Sequence, residues 1–165
     1  MTTTTGTAPS PQAADQALSR QYSTFDVAGL YFGIDVLQVQ EVLRYQEMTP
    51  VPLAPAVIEG LINLRGQIVT ALDVRRRLGL PPRAEGETAM NVVVRTEDGA
   101  VSLLVDEIGD VVEVEASSFE RPPDNLDPAI RDLVRGIHKL KDRLLLVLDT
   151  GQTLNLDTAK GQPAR

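Results

Sequence analysis

The sequence predicts an all-β protein built from a duplicated barrel or sandwich unit, with only a few helical turns. Three observations predict it. Short apolar segments alternate at a two-residue period, turn residues separate them at short intervals, and one segment recurs later in the chain with its apolar phase intact.

The elements follow in order. Residues 1 to 19 are rich in Thr, Pro and Ala without an apolar period, which predicts a disordered leader. Gln21 to Val27 alternates as a strand, Ala28-Gly29 signals a turn, and Leu30 to Ile34 returns as a second strand. A helical turn is expected over Val36 to Glu41. Ile58 to Leu64 and Gln67 to Val74 flank Arg65-Gly66 and read as a hairpin, followed by a helical turn over Val74 to Leu78. Met90 to Arg95 and Val101 to Val105 flank the turn Glu97-Asp98-Gly99, and Val111 to Glu115 alternates again. After a third helical turn near Pro128 to Leu133, Leu133 to Leu140 and Leu144 to Leu148 form a last hairpin around Lys141-Asp142-Arg143. Residues 158 to 165 read as a frayed tail.

The repeat sharpens the fold class. An offset of 76 residues carries Ile58 to Leu78 onto Val134 to Leu154, so that Gly60 meets Gly136, Leu64 meets Leu140, Leu72 meets Leu148 and Asp73 meets Asp149. A slip of one residue would turn every strand side chain to the other face, so a shared phase implies a shared architecture. A looser echo relates Gly29–Val42 to Gly99–Val114 at an offset of 70 to 72. The expected units are 20–84 and 85–157, with the C-terminal segment also available to complete the first. Units this small bury little core alone, so they are expected to pack together as one body.

Composition excludes several function classes. Of 165 residues, 42% are hydrophobic and 24% charged, which suits a soluble globular protein. The net charge of −7 and an aromatic content of 4% argue against a nucleic-acid platform, which wants cationic surface and stacking rings. Arg75-Arg76-Arg77 is a short basic run, read as a solvated face or a contact for an acidic partner. Without cysteine there is neither a disulfide framework nor a thiolate metal site. No apolar run approaches the length of a membrane span, and the N-terminus lacks the pattern of a secretory signal. The single histidine, His138, falls on Ile62 in the repeat and reads as a half-buried strand residue, not a general base. Asp106-Glu107 would point to opposite faces of a strand, so they read as a charged strand end. The sequence offers no catalytic constellation, no phosphate loop and no cofactor.

Several segments resemble one family. They are Gly33-Ile34-Asp35 through Val39-Gln40-Glu41-Val42, Val51-Pro52 and Pro55, Gly60-Leu61-Ile62-Asn63-Leu64-Arg65-Gly66, Leu72-Asp73-Val74-Arg75, Leu104-Val105-Asp106 and Leu146 to Asp149. Together they resemble the CheW family, the coupling proteins of bacterial chemotaxis arrays, over roughly residues 20 to 157. Thr70 departs from the pattern, standing where many relatives carry proline; the change touches local rigidity more than function. The resemblance implies two five-stranded SH3-like β-barrels packed together, few short helices and no catalytic activity. It implies a cytoplasmic adapter, recruited to chemoreceptor arrays, that binds the regulatory domain of a CheA-type histidine kinase and the cytoplasmic tip of methyl-accepting chemoreceptors.

Candidate contacts follow. Arg65 at the hairpin tip can reach a partner carboxylate or pair internally with Glu41. Asn63 is expected to stabilise the same turn, and Gly66 to supply a positive φ. Val36 and Val39, one helical turn apart, would share a face as either core or docking patch. With Glu41, these six form the expected receptor surface. Val42, Leu43, Leu104 and Val105 are the expected kinase contacts by analogy, with a buried core role the favoured reading for Val105. Two other readings compete: the regulatory domain of a CheA-type kinase, and a nucleic-acid-binding β-barrel protein. Met1, the leader and the short tail favour a stand-alone protein over the kinase domain.

Overall fold

The structure is a computed structural model that describes residues 19–155. The expected leader, apart from Ser19, and the expected tail lie outside the described residues. Eleven strands are formed within them: β1 Ser19–Val27, β2 Leu30–Asp35, β3 Val39–Leu43, β4 Ile58–Leu64, β5 Gln67–Asp73, β6 Met90–Thr96, β7 Gly99–Val105, β8 Glu107–Glu115, β9 Phe119–Glu120, β10 Val134–Lys139 and β11 Leu144–Leu148. Three short helices, α1 Val74–Arg77, α2 Pro128–Arg131 and α3 Thr150–Leu154, and 3₁₀ turns at Val36–Gln38 and Ala116–Ser118 complete them.

Local chemistry accounts for the hairpins. Ala28 and Gly29 both take positive φ, 52° and 84°, as do Arg65 and Gly66 at 53° and 86°. Two positive φ angles at the centre of a two-residue loop twist with the flanking strands instead of splaying them. The expected helical turn over Val36 to Glu41 is a correction. Only Val36–Gln38 turns, started by the Asp35 carboxylate, which accepts from Leu37 N–H at 2.9 Å. Val39 is already extended and pairs with Val94. A β-branched residue offered a sheet edge takes the ladder over one more weak helical turn.

The strands form a six-stranded sheet, β8-β1-β2-β11-β10-β9, and a five-stranded sheet, β3-β6-β7-β5-β4. The two-barrel class is therefore present, with a two-residue β9 as the extra strand of one sheet. The strands do not divide at 84/85, because β4 and β5 share a sheet with β6 and β7. The five-stranded sheet is a contiguous segment, 39–105, set between the two pieces of the other. The cause is a strand exchange. β3 leaves β2 and pairs with β6, Val39 opposite Val94, while β8 leaves β7 and pairs with β1, Ile108 opposite Phe25. An offset of 69 carries Phe25 to Val94 and Val39 to Ile108, so the two pairs are one pair with partners traded. That offset also lays the Phe25–Phe32 pair on Val94–Val101, which corrects the looser offset of 70 to 72.

The stronger repeat holds in detail. Both β4 and β10 shift register at the aligned positions, between Ile58 and Gly60 and between Val134 and Gly136. At Gly60 a side chain would meet the Thr49 carbonyl 2.7 Å away, and at Gly136 one would run into the Phe119 ring and the Glu120 carbonyl. Asp73 N–H donates to Val57 and Asp149 N–H to Leu133, each at 2.8 Å, and the two aspartates cap α1 and α3. Helix α3 was not expected, although the repeat maps it onto α1. One core cluster draws on both sheets: Phe25, Val27, Phe32 and Ile34 meet Leu72, Val92, Val94, Leu103 and Val105.

Candidate interaction surface

The five-stranded sheet has two edges, β3 and β4, and an ion pair ties them. Arg65 donates from Nη1 to Glu41 Oε2 at 2.6 Å and from Nη2 to Oε1 at 2.7 Å. A planar guanidinium meeting both carboxylate oxygens is the fork geometry that arginine alone provides. The Arg65 side chain stays 74% exposed while Glu41 is 18% exposed, so the pair presents its cationic side outward. The Arg65 hydrogen bonds hold the Glu41 carboxyl below its ordinary range, and the same bonds hold the Arg65 guanidinium firmly protonated. Asn63 Oδ1 accepts from Gly66 N–H at 2.9 Å and pins the turn that carries Arg65. Ile68, opposite Asn63 in the register, is exposed beside them.

The other candidates divide. Val36 is half-buried in the 3₁₀ turn and Val39 lies on β3 against the main core cluster, so they do not share a helix face. Val42 faces outward on β3, and Leu43 packs against the cluster of Ile62, Leu64, Val69 and Val93. Leu104 is corrected and Val105 takes the core role favoured for it: both are buried in β7, a central strand hydrogen-bonded on both sides, and neither can touch a partner in this fold.

Arg75, Arg76 and Arg77 are not a free basic patch. Arg75 forks onto Asp106, with Nη2 to Oδ2 at 2.7 Å, and also donates to the Pro81 carbonyl. Arg76 donates to the Ala56 carbonyl, and Arg77 satisfies the Gln152 and Thr153 carbonyls of α3. Asp106 is more than a charged strand end. It accepts from Ala28 N–H at 2.7 Å, and Arg83 Nε stands 3.1 Å from its Oδ1 at an angle that makes no hydrogen bond. Burial pushes the Asp106 carboxyl up, but the hydrogen bonds from Arg75 and Ala28 and the nearby guanidinium charges outweigh it and hold the value down. This cluster joins the β1–β2 turn to α1 across the two sheets.

Sequence reasoning missed Leu53 and took His138 as half-buried where it is fully buried. Leu53 is fully exposed with φ of 66°, in the proline-rich loop before β4. His138 is fully buried, with Ser118 Oγ 2.8 Å from Nδ1 and Tyr22 Oη 3.4 Å from Nε2. No periodic signal marks Leu53, whereas the repeat lays His138 on Ile62, which is buried as well. Among the described residues no group of acidic or histidine side chains is arranged to hold a metal, and no helix is long and apolar enough to cross a membrane.

Comparison with known proteins agrees with this geometry. The CheW-like domain matches residues 21–157. The chemotaxis protein CheW of Bacillus subtilis is 31% identical over 136 residues, covering 82% of this chain and 87% of that protein. The CheW of Treponema pallidum is 28% identical over 133 residues, with 78% of each chain covered. The crystal structure of the scaffolding protein TtCheW from Thermoanaerobacter tengcongensis superposes with a TM-score of 0.71 at 28% identity, covering 79% of this chain and 89% of that one. A family match running from within β1 to beyond α3 makes this chain a member of the CheW-like domain family.

Proposed function

We propose that this protein is a non-catalytic adapter that couples chemoreceptors to a CheA-type histidine kinase, working in the cytoplasm at chemoreceptor arrays. The observation that carries the reading is the CheW-like match across residues 21–157, nearly the whole described chain. Relatives named as chemotaxis and scaffolding proteins support it, and so does a surface made for contact. The receptor face comprises Val36, Val39, Glu41, Asn63, Arg65 and Gly66. Arg65 is its centre, an exposed guanidinium whose position is fixed by Glu41 instead of left to wander, so less side-chain entropy is lost on binding. Kinase contact falls to Val42 and Leu43 on the β3 edge.

Co-sedimentation with receptor fragments and kinase from the same organism tests this. Wild type is expected to carry the kinase into the receptor pellet. Arg65→Glu is expected to lose the receptor while remaining folded. Adding Glu41→Arg restores the internal pair with its polarity reversed. If that double variant also restores receptor binding, Arg65 acts by shaping the loop; if it does not, Arg65 touches the receptor. A folded wild type that binds neither partner overturns the adapter reading.

A further inference from the structure

At one end of the six-stranded sheet lies a cavity of about 190 Å³, walled by Arg20, Tyr22, Asp35, Phe119, Arg135 and His138. Arg20 and Arg135 stand exposed at its rim. Among the described residues neither Arg20 nor Arg135 makes a hydrogen bond or ion pair. The buried Tyr22 hydroxyl has only the long 3.4 Å contact with His138. Cationic side chains left without partners around a concave wall are arranged for an anion.

The sister sheet is an internal control. The register places Tyr22 opposite Asp35 and, at the equivalent point, Asn91 opposite Leu104. Through the same equivalences Arg20 corresponds to Ala89, His138 to Ile62 and Val147 to Ala71. There, Ala71, Ala89 and Leu104 pack with Met48 into an apolar cluster, and Met48, Ala89 and Leu104 also line an open pocket that holds Asp73, Arg76 and Arg83. In that pocket the arginines are spent on protein acceptors, Arg76 on the Ala56 carbonyl and Arg83 on Asp73 and the Leu104 carbonyl. In the six-stranded sheet the guanidinium groups of Arg20 and Arg135 have no such acceptor among the described residues, and they stand beside the phenol of Tyr22 and the imidazole of His138.

We propose that this cavity binds a small organic carboxylate. Charge and shape choose the class. Two guanidinia face one carboxylate, Asp35, while burial favours the neutral form of His138, which leaves room for one negative charge. Arginine's planar fork matches a carboxylate, and Phe119, Val147 and Leu148 offer apolar wall to a carbon skeleton. A phosphate, approaching two charges, would crowd Asp35. The volume corresponds to about six waters at ~30 Å³ each, so the ligand is a fragment of a few carbons.

The test is an NMR titration of the full chain with acetate, propionate and succinate, against sodium chloride and inorganic phosphate at matched ionic strength. Carboxylates are expected to give saturable shifts centred on the Tyr22, Arg135 and His138 amides. Arg20→Ala with Arg135→Ala is expected to weaken binding about tenfold or more, with the rest of the spectrum unmoved. Asp35→Asn keeps the cap on Leu37, removes the opposing charge and is expected to tighten binding. Shifts reproduced by chloride, binding by phosphate alone, or shifts that survive the double arginine variant would each overturn the proposal.

Discussion

Arg65 and Glu41 show how a pair of side chains can be positioned without being buried. Their bonds are short and bidentate, yet the guanidinium remains in water, so the pair orients a surface more than it stabilises the fold. The Glu41 carboxyl is held below its ordinary range by its hydrogen bonds to Arg65. A depressed folded-state value means that the pair's contribution is present above the ordinary glutamate range and fades as pH falls through the depressed value. A carboxyl-detected NMR titration should find Glu41 with a midpoint below other exposed glutamates, and Arg65→Ala should return it to the ordinary range. An unchanged midpoint in that variant would assign the shift to another cause. The residues legible in the sequence were those with a turn signal: Asn63, Arg65 and Gly66 carry their roles in local chemistry. Leu104 was misjudged because alternation reveals which residues share a face, but not whether both faces are covered.

At the level of elements, the loop before β4 holds a bulky residue where the backbone favours Gly or Asn. Leu53 takes φ of 66° with its side chain fully in water, so no packing offsets the strain. Leu53→Asn should therefore stabilise the fold by about 0.5–1 kcal/mol in equilibrium urea unfolding. If stability rises and partner binding falls together, the exposed leucine is retained for contact; a destabilised variant would mean that the strain is absent in solution. The hairpins, α1 and α2 were legible because each has its own turn or cap residues. β3 was not, because Val36 to Glu41 is short enough for either period and only the waiting edge of β6 decides between them. Helix α3 is the opposite case: its cap Asp149 and its match to α1 were visible, and only the repeat taken to its end would have drawn it.

For the whole molecule, the exchange of β3 and β8 matters most. Each sheet contains a strand that follows the other sheet's central hairpin in sequence, and the main core cluster takes side chains from both sheets. The half-buried Asp106–Arg75 pair adds a polar tie across the same junction. Neither sheet can lose its packing without exposing the other's apolar face, so unfolding should be a single cooperative transition. Calorimetry should give a van't Hoff enthalpy equal to the calorimetric one. Two resolved transitions would show the barrels to be independent.

The sequence by itself determined the all-β class, the hairpins, the duplicated unit with its phase and the turn that presents Arg65. Each of these is written in contacts between residues near one another in the chain, or in a period that survives duplication. Tertiary structure alone decided which strands share a sheet, which strand faces are covered, and where the cavity beside His138 opens. Those depend on pairings between distant segments, Val39 with Val94 and Phe25 with Ile108, whose register is set by the joint burial of both sheets and by no local preference.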